Sequence, residues 1–415
     1  MKRISTNMPN VDMQYYLRLR EWKLNELNNK MASQSRIKNL RDDPLAAARS
    51  VRFQSEILRM KQYTENIDEA RGKNAVVEGY LKEAVDIVQR IRELAVQGAN
   101  GIYNKDQLNY MGEEVDQLLH ELVLIANGKS GDGTTLFSGF RTHAEPFRVN
   151  MGRMDMIERI IKVDYIGNIG RNKTEISEAA FAEVNLPGNF VFWAENDNIY
   201  SSIDATSYQV QNDSVIKLDG VNVELKEGDN IFSIISKIND SAAPVRASLD
   251  PVKNSLNLKT TLPHKLWISE EANSTILKDL GIIKQGPPGE IPPENIADSA
   301  LSFGGSIFDL IINLRDSFLE GDSEQIGGAG LGSIDSALNN FLHYLAEIGA
   351  KDKRLEMAYK RMSYEIPTFT ELNSKEIDLD LSEAITELKM LEYTHKAALQ
   401  TAARILKPTL LDYLR

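Results

Sequence analysis

The residue types that most often carry catalysis or hold metal are present, but not at the spacings that chemistry requires. The five histidines, His120, His143, His264, His343 and His395, are scattered, with no His-x-x-x-His pair and no His-Glu-x-x-His run. A mononuclear zinc site on a helix depends on that spacing, so no metal ligand is assigned. His395 falls near an apolar stripe and reads as a stripe residue rather than a base. Cysteine is absent, which removes disulfides, thiolate nucleophiles and cysteine zinc sites. Two glycine-rich stretches superficially resemble phosphate-cradling loops. Gly328-Ala-Gly-Leu-Gly332 has no clear strand before it and no lysine, and Gly128-Lys-Ser130 has Val123 where the upstream glycine is needed. Both read as linkers. Carboxylates abound, yet nothing in the sequence pairs two of them in a cleft. No catalytic residue, no cofactor-binding residue and no cofactor is expected.

The 415 residues are 42% hydrophobic and 26% charged, enough for a sizeable core and two or three domains. A net charge of −12 argues against a nucleic-acid binder held by phosphate contacts. The opening residues 1–16 lack the continuous apolar core of a cleavable signal peptide. No run of about eighteen apolar residues occurs, so no membrane span is expected. A cytoplasmic location is the default, with export by a route that cleaves no signal left open.

What must position any function is a set of long helices. From residue 376 to the end, apolar residues recur at Ile377, Leu381, Ala384/Ile385, Leu388, Leu391, Ala398/Leu399, Ala402 and Ile405/Leu406. Steps of three and four keep one stripe on one side of a helix. Asp380 with Glu383 marks its start. At the other end, residues 8–31 read as a helix with apolar contacts on more than one side, through Val11, Tyr15, Leu17, Leu19, Trp22, Leu24 and Leu27. Asp43 and Pro44 signal the next helix, which runs to Gly98 with Gly72 and Gly79 inside it. Those glycines mean either close helix packing or tolerated flexibility. Asn104 and Gln107 cap a third helix, completing an αα-hairpin.

The stretch from about 145 to 325 has a different texture. Asp219-Gly220 sits between two alternating segments, a hairpin signal. Asp229 is read as the cap of a short helix carrying Ile231, Ile234, Ile235 and Ile238, and two more strands follow, giving a compact ββαββ unit. Gly286-Pro-Pro-Gly289 marks a stiff exit loop. Helical texture resumes near Ser299, and a stripe from Ile334 to Met362 runs to Pro367.

The fold class is therefore α+β: a long helical bundle formed by paired N- and C-terminal segments, with an inserted β-rich domain. The expected divisions are 1–145, 146–325 and 326–415. Energetics limit the terminal pairing. Burying each apolar side chain of the last helix yields about 1.5–3 kcal/mol, while ordering its backbone costs on the order of 1–2 kcal/mol per residue. One buried face is marginal, so such a helix needs several neighbours, from its own chain or from other copies.

Val77 to Gln97 (Val-Glu-Gly-Tyr-Leu-Lys-Glu-Ala-Val-Asp-Ile-Val-Gln-Arg-Ile-Arg-Glu-Leu-Ala-Val-Gln) resembles the signature helix of the flagellin family. Arg36-Ile37 and Asp42-Asp-Pro44 resemble the motif before it. Leu136-Phe-Ser-Gly-Phe140 with Pro146-Phe147 is similar, more particularly, to the hook-associated protein 3 family at the hook–filament junction. Leu381-Ser-Glu-Ala-Ile-Thr-Glu-Leu388 and Leu410-Leu-Asp-Tyr-Leu414 agree with it, and the Ile216–Leu258 unit resembles a small repeat of hook-associated and flagellin outer domains. One departure is Gln34, where the family has glycine, so a left-handed turn is not expected there. The resemblance implies a structural adaptor that is no enzyme. It implies export through the flagellar type III route without signal cleavage, to an extracellular or periplasmic flagellum. Implied partners are other copies in a ring, an adjacent hook-associated protein, flagellin and a flagellar export chaperone, with no nucleic acid and no membrane. The assembly interface is then expected at Leu381, Ile385, Leu388, Leu391, Leu399, Ile405 and Leu406, with Val11, Tyr15 and Trp22. A filament flagellin is the near alternative. An enzyme carried in the middle domain and a cytoplasmic coiled-coil scaffold are the others.

Overall fold

The computed structural model describes residues 8–39, 41–154, 157–271, 274–284, 292 and 295–405. The chain opens with α1 (Met8–Ser33), α2 (Pro44–Ala99) and α3 (Lys105–Ala126). There follow β1 (Phe147–Met154), β2 (Ile157–Tyr165), β3 (Lys173–Ser177), β4 (Ala180–Glu183), the single turn α4 (Gly188–Val191) and β5 (Asn198–Tyr200). Next come β6 (Ser214–Leu218), β7 (Val221–Leu225), α5 (Ile231–Asp240), β8 (Val245–Leu249), β9 (Leu256–Thr260), β10 (Ile268–Glu270), α6 (Ile276–Asp279) and β11 (Leu301–Phe303). The chain closes with α7 (Ile307–Glu320), α8 (Ser323–Gln325), a π turn (Ile326–Gly330), α9 (Leu331–Ile377) and α10 (Leu381–Ile405). Two compact units result: a terminal unit of Met1–Glu65 with Ala358–Arg415, and a central unit of Asn66–Met357. The α+β class is as expected.

In the terminal unit α1 pairs with α10, and the first turns of α2 pack on the last turns of α9. Asp43 caps α2 by accepting the Ala46 N–H at 3.0 Å, with Pro44 at the first helical position. Met60, Tyr63 and Met362 form a small buried cluster supported by Ile366 and Phe369. The stripe of α9 does not end at Pro367: the helix continues to Ile377. Pro367 is exposed, so the Ser363 carbonyl it leaves without a donor faces water, while Phe369 packs 6.0 Å from Phe53.

α1 and α9 stop at the same level. Ser35 and Asp378 form an antiparallel bridge, the Arg36 N–H donates to the Ile377 carbonyl at 2.7 Å, and the Leu379 N–H donates to the Gln34 carbonyl at 3.1 Å. The left-handed residue that its glutamine argued against is present: Gln34 has φ +52°. Its N–H reaches the Met31 carbonyl and that of Ser35 the Lys30 carbonyl, the two bonds of a Schellman stop. Those bonds, and the bridge to 377–379, hold a side chain in a conformation that normally goes to glycine.

The central unit has two cores. The first joins α2, α3, α7, the start of α9 and the β1–β2 hairpin around Phe137, Phe147, Phe192, Phe308 and Phe341. Phe192 lies 5.1 Å from Phe137, 5.1 Å from Phe147 and 5.5 Å from Phe341, centroid to centroid. Gly327 and Gly330 are helical rather than linker. A Cβ on either would come within 2.9 Å of Ala99 Cβ or 2.8 Å of Leu314 Cδ1, so close packing explains both. Gly72 and Gly79 are the opposite case: nothing lies within 4 Å, which rules out close packing for them.

The second core belongs to the ββαββ segment. Asp219 and Gly220 take φ +48° and +81°, the type I′ hairpin geometry expected of them. The hairpins do not share one sheet: β6–β7 joins β10 in order β10-β6-β7, and β8–β9 lies in order β11-β5-β9-β8. The α5 side chains Ile231, Ile234 and Ile238 are fully buried in this core. Its cap is Asn230, one residue later than expected, accepting the Ser233 N–H. Asp229 instead accepts from Lys237 and Ser233, and these bonds lower its pKa to about 2, Lys237 first. Near Ser299 the chain forms β11 before α7 begins at Ile307, so helix starts later than its texture suggested. Gly286-Pro-Pro-Gly289 lies outside the described residues.

Candidate assembly interface

The terminal seam is built from two amphipathic faces. On α1, Met13, Leu17, Leu24 and Met31 are half-buried and Leu27 is buried, spaced by multiples of three and four. On α10 the matching face is Ala384, Leu388, Leu391, Ala398 and Ala402, with the two alanines at 384 and 402 fully buried. Arg20, inside the α1 stripe, crosses the seam and donates to the Thr394 carbonyl at 2.7 Å. Asp380 caps α10 by accepting the N–H groups of Ser382 and Glu383 at 2.8 and 3.2 Å.

The expected interface residues separate into two groups. Leu388 and Leu391 lie in the seam. Leu381, Ile385 and Leu399 lie beside it, 43–47% exposed. Val11, Tyr15 and Trp22 are 57–64% exposed. At about 100° per residue they fall within about 40° of one another, on the face of α1 opposite Leu17, Leu24 and Leu27. α1 therefore carries one apolar stripe toward α10 and a second away from it. Trp22 stands between two clefts of about 530 and 640 Å³. The Ile405 side chain and Leu406 lie outside the described residues, as does Leu410–Leu414. Of the inner stripe, Leu17, Leu24 and Leu27 are among the apolar contacts that the sequence puts on more than one side of this helix, while Met13, Arg20 and Met31 were missed because Arg20 interrupts the spacing.

The strongest polar cluster is in the central unit and is closed on itself. Arg315, fully buried, donates from Nη1 to Asp116 Oδ1 and the Ile160 carbonyl, each at 2.8 Å, and pairs with Asp316 at 2.7 Å. Arg159 pairs with Glu113 and lies 3.7 Å from Asp116. Hydrogen bonding to Glu113 raises the Arg159 pKa. His264 is buried between Asp219 Oδ2 and the Leu262 carbonyl, 2.9 Å from each. Glu270, at the N-terminus of α6, accepts the Leu277 N–H, yet burial raises its pKa to about 7. None of these groups opens on a cleft with a second reactive group. Among the described residues no cluster of three His, Cys, Asp or Glu could hold a metal. No helix among them is long and apolar enough to cross a membrane.

The motif Leu136–Phe140 closes the first core. Leu136, Phe137 and Ser138 are buried, and Gly139 takes φ +70°. Phe140 turns outward, its N–H held by Asn168 Oδ1 at 2.8 Å.

The profile of the bacterial flagellin N-terminal helical region matches residues 4–142, which hold α1–α3 and this motif. The flagellin hook IN motif matches residues 209–261, the ββαββ segment. Two stretches of the chain, 4–142 and 209–261, are thus similar to flagellin families. Among the similar proteins is the flagellar filament 33 kDa core protein of Treponema phagedenis, 37% identical over 26% of this chain and 38% of that protein. The flagellar hook-associated protein 3 of Escherichia coli K12 is 23% identical over 45% of this chain and 55% of that protein. The chain thus matches less than two thirds of the length of either. The crystal structure of hook-associated protein-3 from Legionella pneumophila aligns with a TM-score of 0.47 at 19% identity, covering 78% of this chain and 97% of that one.

Proposed function

We propose that this chain is a structural adaptor of the bacterial flagellum at the hook–filament junction, polymerising through α1 and α10. The observation that carries the reading is the second apolar stripe of α1. Val11, Tyr15 and Trp22 are left outside a seam that already exists, with Trp22 next to clefts that a neighbouring helix can fill. Each such side chain is worth about 1.5–3 kcal/mol when fully buried. Association costs on the order of 4–15 kcal/mol, so a lattice with several contacts per subunit is favoured over an isolated pair. Leu381, Ile385, Leu388, Leu391 and Leu399 supply the α10 side of the interface, and Ile405 and Leu406 extend it. Partners are copies of itself in a ring, an adjacent hook-associated protein, flagellin and an export chaperone. The organelle is extracellular or periplasmic, reached by the type III route. The divisions 1–145, 146–325 and 326–415 belong to the same proposal, the middle one facing outward. Similarity to a hook-associated protein 3 and the Leu136–Phe140 motif favour the junction. The second reading, a filament flagellin, is favoured by the 37% identity to a filament core protein within the N-terminal helices.

Immunogold labelling of isolated hook–filament preparations distinguishes them. A single labelled zone between hook and filament is expected, and label along the whole filament would establish the second reading. In the same cells Leu388→Asp places a carboxylate in the seam. Hooks should still form while flagellin is released into the medium, whereas Glu392→Ala, on an exposed position, should swim normally. Normal filaments with Leu388→Asp would remove α10 from assembly.

A further inference from the structure

The four-stranded sheet buries one face and leaves the other open. Ile199, Leu256, Leu258, Val245 and Ala247 point into the second core. Residues paired directly across antiparallel strands share a face, so the register defines two rows on the other side. Phe303, Asn198, Lys259 and Arg246 form one, and Leu301, Tyr200, Asn257 and Ser248 the next. From the first row a cleft of about 700 Å³ opens toward Asn339 and His343 of α9, with Glu195 at its edge.

Two features of this face call for the same kind of occupant. Arg246 and Lys259 stand directly opposite each other, both exposed, and neither forms an ion pair among the described residues. Like charges so placed weaken a sheet, which leaves an anion as their natural complement. Phe303 is 57% exposed and packs edge-on to Tyr200 at 5.9 Å, an exposed aromatic ring in the same row as the cations. We propose that this face binds an acidic polysaccharide. A uronic-acid ring brings an apolar face for Phe303 and a carboxylate for Arg246 and Lys259. This stands independently of the junction reading, since the face belongs wholly to the central unit.

The test uses the full chain and polygalacturonate, with dextran and an oligothymidylate as the other arms, followed by biolayer interferometry. Saturable binding to polygalacturonate is expected, weakening as salt rises from 50 to about 500 mM, with none to dextran. Phe303→Ala should weaken binding at least tenfold. Lys259→Glu should abolish it while leaving the Tm equal or higher, because the new carboxylate faces Arg246. No binding at millimolar uronate, or binding indifferent to Lys259→Glu in a folded chain, overturns the proposal. Tighter binding to the oligothymidylate than to the uronate also overturns it, in favour of a single-stranded nucleic acid.

Discussion

Two helices of this molecule end in the same backbone motif, and they complete it with different residues. α7 of the central unit stops at Gly321, φ +81°, with the Gly321 and Asp322 N–H groups returning to Phe318 and Ser317. α1 of the terminal unit stops at Gln34, φ +52°, with the same pair of bonds to Met31 and Lys30. Glycine takes that conformation freely, whereas glutamine pays about 1–2 kcal/mol. The contrast extends to packing. The central unit closes an aromatic core and a buried ion network within itself. The terminal unit has a half-buried seam, five exposed large apolar side chains on α1, and a proline inside a helix. One unit is complete in a single chain. In the proposed assembly the other is finished by neighbours.

The largest effect expected from breaking this contrast is at Arg315. Removing one member of a buried, hydrogen-bonded charge network costs about 3–5 kcal/mol. Arg315→Met leaves the Ile160 carbonyl without that donor and Asp116 with Arg159 alone, 3.7 Å away. Denaturant unfolding followed in single-tryptophan variants separates the units, because Trp22 lies in the terminal one and Trp193 and Trp267 in the central one. The central signal should move to lower denaturant while the Trp22 signal stays. Equal displacement of both would mean that the two units unfold as one.

Pro367→Ala should act on the other unit, with opposite sign. An interior helix proline costs up to about 3 kcal/mol, and the substitution restores a donor for the Ser363 carbonyl. The Trp22 transition should rise by about 1–3 kcal/mol, with the central transition unmoved. An unchanged Trp22 transition would show that packing of Phe369 on Phe53 already offsets the proline.

Much of this architecture was legible because it rests on local rules. Asp43-Pro44, Asn104 with Gln107, Asp380 and Asp219-Gly220 each act through their own backbone, and each lies where its pattern places it. What escaped was decided by tertiary contact. Pro367 reads as a helix end, yet it faces water on a helix held by Ile366 and Phe369. Gly330 reads as part of a linker, yet Leu314 sits where its side chain would be. In the terminal unit the sequence showed apolar contacts on more than one side of α1, but not which side meets α10. Val11, Tyr15 and Trp22 are the more conspicuous residues, and only the pairing with α10 identifies Leu17, Leu24 and Leu27 as the inner face. The polar face of the four-stranded sheet could not be read at all, since its residues come from four separate strands.

Glu270 gives the central unit a pH dependence of its own. Its folded pKa, raised by burial to about 7, lies above the ordinary 4.5. The stability it contributes is therefore fully present below about pH 4.5 and is lost as pH rises through about 7. Asp229 has the opposite sign: held at about 2 by Lys237 and neighbouring donors, it contributes above pH 3.8 and loses its effect toward pH 2. Between pH 5 and 8 Glu270 alone of the two titrates, so the central transition should be a few degrees higher at pH 5. Glu270→Gln should flatten that difference. A profile unchanged by the substitution would place the titrating group elsewhere.

The smallest effect concerns the residue that opened the contrast. Gln34→Gly removes the left-handed penalty but gives the unfolded chain more freedom, about 0.5–1 kcal/mol against the folded state. The net gain is expected near 0.5 kcal/mol. Gln34→Asn tolerates the left-handed region without that entropy term, so it should gain slightly more than glycine. Gln34→Val, β-branched at positive φ, should lose more than either gains. The glutamine side chain is exposed, so no packing term competes with this order. Trp22-monitored unfolding of the three variants tests the sequence Asn, Gly, Gln, Val. If glycine proved less stable than glutamine, the 34–36 segment would be held chiefly by its bridge to 377–379 and not limited by strain. The difference between Gln34 and Gly321 would then carry no energetic weight.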